Sequence, residues 1–141
     1  MKTAFLSVVG MIGGAIAGLF GGWSAGMTTL VILMGVDVLT GFLAAAVFHN
    51  SDKTENGRAE SRTMEKGLIR KLCVVLLIIV ASRLDLVLGT EIVRDAAVIG
   101  FCVNECLSIV ENVGLMGVPL PKVLVDAIAV LKDKANEDGE V

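Results

Sequence analysis

The chain has 141 residues, 55% of them hydrophobic, a mean hydropathy of +0.80 and a formal net charge of −3. Its apolar residues gather in long blocks, which excludes an ordinary soluble domain and points to a membrane protein whose charges are pushed into its loops. Cys73, Cys102 and Cys106 all lie in apolar stretches, without CxxC spacing or a neighbouring His, so they read as small core residues rather than a metal site or disulfide. His49, the one histidine, follows an apolar run and reads as an interfacial loop residue.

The first predicted span covers residues 4–22, nineteen residues without a charge, or about 28 Å of helix, enough for a hydrocarbon core. Trp23 follows as an interfacial anchor. A cleaved signal peptide is the competing reading, since Lys2 and Ala15-Ile-Ala17 imitate its ends. The apolar run nevertheless continues past that point through Gly18, Leu19 and Phe20. Gly10, Gly14, Gly18, Gly22 and Gly26 recur at every fourth position, a flat strip on which another backbone can pack closely, within the chain or between copies. Gly13, Ala17, Gly21 and Ala25 form a second small row beside it.

The second predicted span, 27–48, is interrupted near its centre by Asp37, with Thr40 and Gly41 on the same face. A mid-membrane carboxylate costs about 2.5–3.5 kcal/mol on insertion scales, so Asp37 should face protein or water. It could line a lumen, serve a proton or ion path, or sit neutral between helices. Residues 49–71 hold six of the twelve Lys and Arg and read as a water-exposed loop. The third span, 72–88, carries Arg83 and Asp85 toward its far end, where an Arg stem can snorkel to the headgroups.

The fourth span, 96–115, is apolar on only part of its circumference. With Asn104 at 0° and about 100° per residue, Ser108, Asn112, Glu105 and Glu111 fall within roughly 120° of one another. Such a stripe requires partner polar groups or a water-filled lumen, or else lies in solvent outside the bilayer. Pro119 and Pro121 then stop the helix, and Pro121 suits the first turn of another. In that helix, within 116–132, Val123, Leu124, Ala127, Ile128 and Leu131 recur at helical spacing, as expected for a helix lying on the membrane face or against a partner. Residues 133–141 read as a disordered tail.

With the N-terminus, the 49–71 loop and the C-terminal tail on one side, that side holds ten of the twelve Lys and Arg, and only Arg83 and Arg94 fall opposite. The positive-inside rule then places both termini in the cytoplasm and requires an even number of crossings, four being the number that fits. A three-span arrangement would put the C-terminal lysines outside. The expected architecture is therefore all-α: 1–115 as a membrane domain of about four helices, followed by the amphipathic helix and the tail.

Chemistry has little support here. The sequence holds no P-loop, GxSxG or HExxH, and no paired nucleophile and base, so no enzyme, cofactor or metal is expected. The basic loop also carries Asp52, Glu55, Glu60 and Glu65 and no aromatic residue, which argues against a nucleic-acid partner.

Three stretches, GVDVLTGFLAA at 35–45, the basic IRK at 69–71 and NECLSIVENVGLMGVPLPKVL at 104–124, resemble the toxin-secretion and phage-lysis holin family. Its members pair an Asp-containing span with an N-E-x-L-S-I-x-E-N run followed by G-V-P-x-P. The matching positions are Asp37, Asn104, Glu105, Ser108, Glu111, Asn112, Pro119 and Pro121, none of them catalytic. The resemblance implies a homo-oligomer in the bacterial cytoplasmic membrane that opens lesions for an endolysin or toxin to pass. Two other readings remain at this point: a small ion channel or transporter subunit, and an antiholin-type regulator of a pore former.

Overall fold

The computed structural model describes residues 1–50, 53, 55–58 and 60–138, and among these every regular element is a helix. Its elements are α1 (Lys2–Leu19), α2 (Ala25–Ala46), α3 (Ser61–Leu88), α4 (Ile92–Leu115) and α5 (Lys122–Asp138). By length and composition α1, α2 and α4 can each cross a membrane. α3 is not among them; it contains the apolar run 72–88, which bears Arg83 and Asp85.

Local chemistry sets the helix ends. Ser24 caps α2, its Oγ accepting the Met27 backbone N–H at 3.2 Å. Gly89 ends α3 in the left-handed region at φ 67°, where only a residue without a Cβ sits freely, and its N–H returns to the Asp85 carbonyl. The Pro121 carbonyl accepts the first N–H groups of α5, from Leu124 and Val125.

Side-chain pairs fix the topology. Lys71 of α3 meets Asp37 of α2 and Glu105 of α4, while Ser82 and Arg94 both reach the Phe20 carbonyl. Asp37 meets Asn112 of α4. Hence α3 runs antiparallel to α2 and α4, and those two run parallel. Met27, Leu30, Met34, Ile78 and Val98 form the core between the three helices, closed at one end by Phe20. Outward-facing Val31, Ile32, Leu39, Leu72, Leu76, Leu77 and Val80 remain exposed, the apolar surface a lipid environment would cover.

Four features differ from the sequence reading. First, α3 begins at Ser61, so the loop expected over 49–71 gives way to helix for its last eleven residues. Met, Glu, Lys, Leu and Arg all favour helix, and Met64 and Leu68, four apart, line a cavity against Val38 and Phe42 of α2. Second, the five-glycine strip is not one helix face. α1 stops at Leu19, Gly22 lies in a turn at φ 98°, and Gly26 belongs to α2. Third, α5 continues to Asp138, through six of the residues read as a disordered tail, because no Pro or Gly interrupts it. Asp52 and residues 139–141 lie outside the described residues. Fourth, the cysteines are free and Cys73 is exposed, with Cys102 and Cys106 half-buried, so none is a fully buried core residue.

Candidate functional site

Midway along the bundle lies a polar cluster built from three helices. Asp37 is about 18 Å from the start of α2 and about 14 Å from its end. Its Oδ2 is 2.8 Å from the Lys71 ammonium, which also pairs with Glu105. Asn112, 2% exposed, donates from Nδ2 to Asp37 Oδ1 at 3.1 Å and to Thr40 Oγ1 at 3.1 Å. Gly41 lies against this amide: a Cβ there would stand 3.4 Å from Asn112 Nδ2, in van der Waals contact. Asp37 and Glu105 are 8% and 9% exposed, and no buried side-chain polar atom in the described residues lacks a partner. Two carboxylates and the Lys71 ammonium thus meet inside an otherwise apolar layer, and Lys53 borders the same cavity.

The polar stripe read from α4 is therefore divided. Glu105 and Asn112 face the cluster. Half-buried Ser108 stands beside them, its Oγ accepting from the Lys53 ammonium at 3.3 Å. Asn104 and Glu111 are exposed on the outside of the bundle and join none of these contacts. A cavity of about 100 Å³ adjoins Asp37 and Lys71, with walls that include Val38, Phe42, Met64 and Leu68.

Lys71 is the residue that sequence reasoning missed, because it was counted with the loop cations. Two acids on apolar helices require a cation, and Lys71 is the cation adjoining the third apolar run. That combination was the available signal.

A second polar group closes the opposite end. Arg83 Nη2 donates to the carbonyls of Gly18 and Leu19 at 2.6 and 3.1 Å, Ser82 Oγ to that of Phe20 at 2.9 Å, and Arg94 Nη1 to those of Phe20 and Gly21 at 3.2 Å each. Together they satisfy the carbonyls that α1 leaves open at its C-terminus. Asp85 does the same for the start of α4, accepting the backbone N–H groups of Val93 and Arg94 and the Thr90 hydroxyl. Arg83 is thus engaged with protein and does not simply snorkel. Beyond this clasp α1 has no buried residue, and a Cβ placed on Gly10, Gly14 or Gly18 would meet nothing within 4 Å.

Among the described residues no group of three or more His, Cys, Asp and Glu is placed to hold a metal ion. What the geometry offers is a set of membrane helices with charge held inside. Comparison with known proteins agrees with that character. The chain is 35% identical over 128 residues to an uncharacterized protein of Halalkalibacterium halodurans, covering 86% of this chain and 89% of that one. To an uncharacterized protein of Listeria monocytogenes it is 34% identical over 134 residues, 93% and 90% of the two chains. It is also 29% identical over 112 residues to a probable holin of Bacillus phage phi105, covering 79% and 77%. No solved structure matches. Residues 14–133 match the bacteriophage holin family, nearly the whole chain, and the protein belongs to that family.

Proposed function

We propose that this chain self-associates in the bacterial cytoplasmic membrane and opens lesions through which an endolysin or a toxin passes. Both termini and the loop between α2 and α3 face the cytoplasm. The observation that carries this reading is the distribution of polar groups on its membrane helices. Asp37, Lys71, Glu105 and Asn112 satisfy one another inside a single copy, while Asn104 and Glu111 remain on its outer surface. Outward polar groups are unfavourable in lipid, and association removes them from it. Once copies gather, the inner cluster provides charged groups that can turn toward water and line an opening. The glycine row Gly10, Gly14 and Gly18 on α1, unoccupied within one copy, gives a second close-packing face.

Inducible expression in a bacterial host tests this reading, with membrane potential and release of a cytoplasmic reporter enzyme followed together. The wild-type chain collapses the potential and releases the enzyme abruptly. Replacing Glu105 and Glu111 together by Leu delays or abolishes release at equal membrane content. Undiminished release by that variant rejects the role of these carboxylates. Altered ion flux with no enzyme release points instead to a narrow channel. Delayed lysis on co-expression with a separate pore former points to a regulator.

A further inference from the structure

One surface is not used by the cluster or by the α1 clasp. It is the outer face of α4, on which α5 lies. Ile128 of α5 is buried, and Lys132 and Asn136 border a groove with Ala97, Gly100, Asn104 and Leu107. α5 thus doubles back along α4 as far as its first turns. Asn104 is about 18 Å from one end of α4 and about 17 Å from the other, at mid-span.

This cover is incompatible with a bilayer. Asp126, Lys132, Asp133, Lys134 and Glu137 of α5 are all exposed, and beside a membrane-spanning α4 most of them would stand in hydrocarbon. An amphipathic helix of this kind is stable at the headgroup boundary, with its apolar side against the acyl chains. Moving there uncovers the α4 face.

The uncovered face has a distinct pattern. Ala97, Asn104 and Glu111 are seven residues apart, and so are Gly100, Leu107 and Gly114, offset by three. These are the two positions of a heptad seam. Space is open over both glycines, where a Cβ would meet nothing within 4 Å. The Asn104 amide has no hydrogen-bond partner among the described residues, and Glu111 lies within about 6 Å of the helix end, near the water boundary. Copies inserted in one membrane share an orientation, so two such seams meet in parallel. In a parallel pair the first heptad position faces its own equivalent, and Asn104 would bond to Asn104.

We propose that the Ala97–Gly100–Asn104–Leu107 face of α4 is a docking surface for the same face of a second copy, and that α5 is its exchangeable cover. The amide pair fixes the register, and α5 sets how much of the surface is available. This rests on the function proposed above, in which α4 spans the membrane and copies associate, and names the surface through which they do so.

Disulfide trapping in native membranes tests the proposal, using the full chain with Cys73, Cys102 and Cys106 replaced by Ala. Asn104→Cys should form a covalent dimer under mild oxidation, while Val103→Cys, which points into the core, should not. Ile128→Glu, which weakens the hold of α5, should raise the Asn104→Cys dimer several-fold. No more dimer at Asn104→Cys than at Val103→Cys, or no response to Ile128→Glu, overturns the proposal. Enzyme release by a wild-type chain whose Asn104→Cys variant never dimerises removes this surface but leaves the lesion reading intact. Dimerisation without any release does the reverse.

Discussion

Lys71 decides the state of the central cluster. Removing one partner of a partly buried ion pair costs about 3–5 kcal/mol when the other charge is left behind, and the slight exposure here places the cost at the lower end. Lys71→Met strands two carboxylates, so the variant should accumulate poorly in membranes and unfold at lower temperature in detergent. Adding Asp37→Asn and Glu105→Gln should restore much of that loss, read by the same melt. A Lys71→Met chain as stable as wild type would mean that water, not Lys71, satisfies the acids. The acids were legible in the sequence, because a charge inside an apolar block stands out. Their cation was not, because it adjoins a loop crowded with other cations and is brought in only by the extra helical turns from Ser61 onward.

At the level of elements, α1 is the outlier. Its C-terminal carbonyls are held by Ser82, Arg83 and Arg94, and the helix has no buried residue. Gly14→Leu should therefore leave the melting temperature of a single copy unchanged or slightly raised, since Leu favours helix over Gly by up to about 1 kcal/mol. Native gels or crosslinking in membranes should show weaker self-association. A lowered melting temperature would mean that the strip packs within the chain. The span read from the sequence, 4–22, overlaps α1 but runs three residues beyond its end, and the glycine row runs further still. Spacing alone cannot distinguish a glycine that continues a strip from one that turns the chain, as Gly21 and Gly22 do at positive φ. The opposite error occurred at α5, whose charged end reads as disorder although no Pro or Gly stops the helix before Asp138.

For the whole molecule, the parallel course of α2 and α4 and the reversed α3 bring the loop end of α3 to the same side as the end of α4. If α1 crosses as well, the N-terminus shares that side, while α5 doubles back along α4 away from it. The cation distribution, visible in sequence because the bilayer sorts charge so strongly, is the basis for proposing that this side faces the cytoplasm. In a chain with Cys73, Cys102 and Cys106 replaced by Ala, an impermeant thiol reagent should label Glu91→Cys from outside intact cells. Glu55→Cys should react only after permeabilisation, and the reverse pattern would invert the topology. The decisive measurement uses purified protein in sealed vesicles loaded with an enzyme the size of an endolysin. At rising protein-to-lipid ratio, enzyme should escape with a steep threshold as copies assemble, and single copies should be scarce above it. Vesicles that stay tight while the protein remains dispersed as single copies would contradict the lesion-forming role.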